Sequence, residues 1–62
     1  MDKTIYDRVK EIALRRGLTI AAIENQAKIA NGTISGWKAS KPYAETLKKV
    51  ADVLDVSIED LL

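Results

Sequence analysis

Apolar residues return along this chain every three or four positions, and glycine or proline interrupts the pattern before any stretch grows long. Ile5, Val9, Ile12 and Ala13 make one stripe, and Ile20, Ile23 and Ala27 a second. Ile34 and Trp37 make a third; Tyr43, Leu47, Val50, Ala51 and Leu54 make a fourth. The breaks fall at Gly17, at the Gly32 and Gly36 pair, and at Pro42. No run alternates apolar and polar residues between turn dipeptides, the mark of a strand. The pattern predicts an all-α fold: a compact orthogonal bundle of about five short helices forming a single domain over residues 1–62.

Local signals set the expected ends. Thr4 with Asp7 three residues on reads as a capping box at the start of a helix reaching Arg16. Arg15 and Arg16 suit the negative end of its dipole, and Gly17 supplies a left-handed stop. Thr19 can cap a helix from Ile20 to Ala27. A third helix is expected from Asn31 to Lys38, followed by a loop over Ala39–Lys41. Pro42 can open the fourth helix at its first position, where Glu45 and Lys49 form a favourable i,i+4 pair. Ser57 caps a terminal turn, with Ile58, Leu61 and Leu62 closing the bottom of the core. Trp37, at helical spacing from Ile34, is expected in the core rather than on a ligand. Tyr43 is expected at the core or its edge, Tyr6 half-buried with a wet hydroxyl, and Lys48 and Lys49 on a solvated face.

Composition narrows the function. With 62 residues, the chain can bury only about 60% of the surface it exposes unfolded. It has no cysteine and no histidine, so neither disulfides nor the usual zinc ligands can staple it, and histidine acid–base catalysis is excluded. Asp2, Asp7, Glu11, Asp52, Asp55, Glu59 and Asp60 are dispersed, without the spacing of a metal site or a partnered catalytic acid. The expectation is a protein that is not an enzyme, with no cofactor, no metal and no evident small-molecule site. No apolar run approaches the roughly 18 residues of a membrane span, and no signal-peptide pattern opens the chain, so a cytoplasmic, soluble protein is expected. The net charge of +1 means that any nucleic-acid contact must come from locally placed lysine and arginine.

The stretch from Leu18 to Leu62, LTIAAIENQAKIANGTISGWKASKPYAETLKKVADVLDVSIEDLL, resembles the lambda-repressor-like helix-turn-helix family, the XRE group, and in particular phage-type repressors. Ile23, Ala27 and Ile29 match the apolar anchors of its second helix and turn. The run Asn31-Gly32-Thr33-Ile34-Ser35-Gly36-Trp37-Lys38 matches its third helix, with Ile34 and Trp37 as buried anchors. Pro42, Glu45-Thr46-Leu47 and Val50-Ala51 match its fourth helix, and Leu54-Asp55-Val56-Ser57 with Leu61-Leu62 match its ending. Several positions depart from the pattern. Lys28 stands where the family usually has glycine, and Ala30 where it usually has a capping serine or threonine. Ile20 replaces a common phosphate-binding glutamine, and Gly32 and Gly36 replace long polar readers. Losing a cap costs about 0.5–2 kcal/mol unless another group substitutes, and Asn31 is the expected substitute.

The resemblance implies the DNA-binding domain of a transcriptional regulator, binding a double-stranded operator of two-fold symmetry as a homodimer. A helix reading the major groove is held by the protein on one face and free on the other. With Ile34 and Trp37 inward, the base-facing candidates are Asn31, Gly32, Thr33, Ser35 and Gly36. Thr19, Lys28, Lys38 and Lys41 are the phosphate candidates. Full repressors of this kind usually carry a further segment for dimerising or sensing a signal. The alternative is a protein-interaction module on the same scaffold, an antirepressor or adaptor with weak or no DNA binding. The two glycines and the low net charge favour that alternative.

Overall fold

The structure is a computed structural model that describes residues 3–62, so Asp2 lies outside it. Three α-helices carry the fold: α1 (Ile5–Arg15), α2 (Ile20–Ala27) and α3 (Ala44–Leu54). Two short 3-10 turns, Ser35–Lys38 and Ile58–Asp60, stand where the third and fifth helices were expected. No strand occurs among the described residues.

Each α-helix starts for a local reason. The capping box predicted for α1 is present: the Asp7 N–H donates to Thr4 Oγ1 and the Thr4 N–H to Asp7 Oδ2, both at 3.1 Å. At α2 the Ala22 N–H donates to Thr19 Oγ1 at 3.0 Å. At α3 the Leu47 N–H reaches the Tyr43 carbonyl, which makes Tyr43 the cap residue and puts Pro42 one residue outside the helix. The fourth helix therefore begins later than Pro42. Tyr43 takes an extended conformation, with ψ 148°, which lifts its side chain off the helical stripe it would have continued. It is 85% exposed, not at the core edge.

All three helices end alike. Gly17, Lys28 and Asp55 adopt left-handed conformations at φ 70°, 59° and 57°. The next residue then donates back five positions: Leu18 to Ala13, Ile29 to Glu24 and Val56 to Ala51, at 2.8–3.0 Å. Leu18, Ile29 and Val56 each turn an apolar side chain onto the core, the pattern of a Schellman stop. Glycine adopts this conformation freely, whereas a non-glycine residue loses roughly 1–2 kcal/mol there. The missing glycine at position 28 thus concerns a real left-handed site.

The core is aliphatic with one indole. Val9, Ile23, Ile34, Val50, Leu54 and Leu61 are fully buried, and Trp37 is 6% exposed. Leu61 closes the bottom with Ile58 packed beside it, while Leu62 points out. Glu45 and Lys49 form no ion pair among the described residues; Lys48 instead approaches Asp52 at 3.9 Å, with both side chains largely exposed. Such exposed pairs contribute little.

Candidate functional site

The site is built on the segment between α2 and α3. Its first half, residues 31–34, is a series of turns, and only Ser35–Lys38 forms a 3-10 turn. The regular helix expected over Asn31–Lys38 is absent. The backbone shows why. Gly32 sits at φ 91°, outside any helical region. The Gly36 N–H reaches the Gly32 carbonyl at 3.1 Å, but the Trp37 and Ala39 N–H groups bond three residues back. Two glycines in six residues leave little helix propensity to resist this tightening.

What fixes the segment is Glu24, a residue that sequence reasoning passed over. It lies in α2 between Ile23 and Ala27 and is 3% exposed. Its Oε2 accepts the Gly32 and Ile34 N–H groups, each at 3.0 Å. The carboxylate thus takes over the capping work that Ala30 cannot do, from a neighbouring helix rather than from the segment itself. Asn31, the expected substitute, is exposed and does not fill that role. A buried acid facing two orphan N–H groups is satisfied, and no buried side-chain N or O atom among the described residues lacks a partner. The one available signal was the charge at position 24, set between two apolar anchors of a helix.

Ile34 and Trp37 pin the inner side of the segment as expected. Asn31, Gly32, Ser35 and Gly36 are exposed, and Thr33 is half-buried. These five residues make up the outer strip of the segment, with Thr33 its least exposed member. Ser35 and Thr33 offer hydroxyls and Asn31 an amide, while a Cβ added at Gly36 would meet nothing within 4 Å.

The cations are less unified. Lys38 and Lys41 share a groove with Lys3 and Thr4 beside the edge of Trp37, bringing a third lysine that was not foreseen. The Lys38 ammonium lies 4.7 Å from the centre of the Tyr6 ring, a cation–π contact that draws it toward α1. Thr19 and Lys28 flank opposite ends of α2, roughly 13.5 Å apart at 1.5 Å per residue, so they cannot hold one phosphate between them. The Thr19 hydroxyl oxygen is occupied by the Ala22 N–H, which leaves its O–H proton to donate. Among the described residues, no group of three or more acidic side chains is placed to hold a metal ion. No helix among them is long and apolar enough to cross a membrane.

Comparison with known proteins agrees with this geometry. The profile of the Cro/C1-type HTH DNA-binding domain matches residues 8–62. The chain is similar to the N-terminal DNA-binding domain of SinR from Bacillus subtilis, at 28% identity and a TM-score of 0.84, over 92% of this chain and 87% of that one. It is also similar, at 28% identity and a TM-score of 0.83, to a crystal structure of SinR, the master regulator for biofilm formation, in complex with DNA; that match covers 92% of this chain and 95% of the other. No curated protein sequence matches significantly.

Proposed function

The chain belongs to the Cro/C1-type helix-turn-helix DNA-binding family, and from that premise we propose that it binds double-stranded DNA sequence-specifically as the operator-reading domain of a transcriptional repressor. The observation that carries this reading is the segment Asn31–Lys38. It is pinned inward by Ile34 and Trp37, capped from α2 by Glu24, and open along its outer strip. That combination of a fixed inner face and a free outer face is what groove reading requires. The similarity to SinR, solved in complex with DNA, supports the same partner.

In this reading Asn31, Thr33 and Ser35 meet base edges. Gly32 and Gly36 let the backbone approach closely without reading bases by side chain. Lys28, Lys41, Lys38 and the Thr19 O–H hold phosphates along the flanks. Two copies bind a two-fold operator with half-sites one helical turn apart, near 34–36 Å. Discrimination comes from few side chains, so the shape of the DNA carries part of it.

The test is selection of bound sequences from random duplex DNA, followed by affinity at several salt concentrations. Roughly three to five phosphate contacts per subunit give a slope of log affinity against log salt of about −3 to −4.5. A palindromic consensus with that slope supports the proposal. No enrichment and a flat salt response would instead favour an interaction module that has lost its DNA contacts.

A further inference from the structure

All three arginines of the chain lie on one groove, away from the strip that meets DNA in the reading above. Arg8 and Arg15 stand seven residues apart on a single face of α1, with Ile12 between them, and Arg16 follows at the helix end. Val56 and Asp60, from the chain's last turns, form the opposite wall of a groove of about 430 Å³. Ile12 and Val56, half-buried and packed against the core, supply the apolar part of its lining.

The charges of this groove are unbalanced. None of the three guanidiniums forms an ion pair among the described residues. The two acids in the lining are already engaged. Lys3 hydrogen-bonds Glu11 and holds its carboxyl below its ordinary range, with Arg15 and Arg8 adding to the pull across solvent. Asp60 Oδ2 accepts both the N–H and the O–H of Ser57 at 3.1 Å. The three guanidiniums therefore flank Ile12 and Val56 with no carboxylate among the described residues paired to them.

We propose that this groove docks an acidic segment of a partner protein, with an apolar side chain seated on Ile12 and Val56 and flanking carboxylates held by Arg8, Arg15 and Arg16. Guanidinium suits this role because its fork matches a carboxylate bidentately and its stem covers apolar surface. A phosphodiester strand would use the guanidiniums and leave Ile12 and Val56 uncovered, and lysine, not arginine, surrounds the segment Asn31–Lys38. The groove shares no lining residue with that segment.

The test is an NMR titration of the isotope-labelled chain with a capped peptide alternating glutamate and leucine. A matched peptide carrying lysine for glutamate is the control. The expected result is amide shifts confined to residues 8–16 and 56–60, absent with the lysine peptide and weakening with salt. The double variant Arg8→Ala, Arg15→Ala should bind the acidic peptide about fivefold to tenfold more weakly, which is about 1–1.4 kcal/mol for the two exposed ion pairs together. Arg15→Lys, which keeps the charge and loses the fork, should fall between. Thermal melts check that both variants remain folded. Equal binding by the double variant, equal shifts with the lysine peptide, or shifts centred on residues 31–38 would overturn the proposal. Displacement of the acidic peptide from these amides by duplex DNA would also overturn it and assign the groove to phosphate.

Discussion

The helix Ala44–Leu54 and the segment Asn31–Lys38 lie on either side of one loop and pack into one core, yet they are held in opposite ways. The helix carries its own instructions. Leu47, Val50, Ala51 and Leu54 form an unbroken inward stripe, Ala44, Glu45, Lys48 and Lys49 add helix propensity, and the ends are set by Tyr43 and Asp55 within the same stretch. The segment carries few. It has two apolar anchors, Ile34 and Trp37, and two glycines, and its first N–H groups are satisfied by a carboxylate eight and ten residues upstream. Order in the helix is local, whereas order in the segment is borrowed from α2. The position of a reading surface built this way depends on the buried carboxylate of Glu24 as well as on Ile34 and Trp37.

Removing an anchor should give the largest effect. Trp37→Ala deletes the largest core side chain of the segment and leaves a cavity, for an expected loss of about 3–5 kcal/mol. In a domain this small that is enough to unfold much of the population. A melting midpoint within a few degrees of the parent would show that the segment is not pinned from inside.

Removing the borrowed cap should come next. Glu24→Ala leaves the Ile34 N–H buried and the Gly32 N–H partly buried with no acceptor, an expected loss of about 2–3 kcal/mol. Glu24→Gln keeps one acceptor oxygen and should recover part of it. Amide hydrogen exchange distinguishes the mechanisms: protection in Glu24→Ala should fall first at residues 32–37, with α3 changing last. Uniform loss of protection would break the contrast between the two regions.

The two glycines sharpen the comparison at smaller amplitude. Gly32, at φ 91°, should resist substitution, with Gly32→Ala costing roughly 1–2 kcal/mol in strain. Gly36 sits in open space at an ordinary φ, so Gly36→Ala should stabilise by up to about 1 kcal/mol through helix propensity. Thermal melts of the pair should therefore move in opposite directions. If both destabilise, something other than backbone conformation holds the segment.

How much of this was legible follows from where each signal lies. The ends of α1 and α2 are written in neighbouring residues, Thr4 with Asp7, Gly17 and Thr19, and were readable. The stripes identified Val9, Ile23, Ile34, Trp37 and Leu54 as core because helical spacing is a local property. Tyr43 was misplaced because a stripe does not reveal where a helix begins, and one extended residue removes a side chain from its face. The missing α-helix at Asn31–Lys38 and the role of Glu24 were not readable because the deciding bonds cross from one element to another. The outward strip was identified by elimination, as what remains once Ile34 and Trp37 face inward.

The most direct measurement of the central claim is binding of three variants to a selected operator and to its single-base variants at fixed salt, with melts alongside. If the strip reads bases, Asn31→Ser should remain near parental stability and lose preference at one operator position, where a good amide contact gives about 1–3 kcal/mol of discrimination. Thr33→Ala should weaken preference at a neighbouring position. Lys41→Ala should weaken every sequence about equally, because a phosphate contact carries no base information. Discrimination left intact in both Asn31→Ser and Thr33→Ala, with affinity unchanged in all three variants, would contradict DNA reading by this segment.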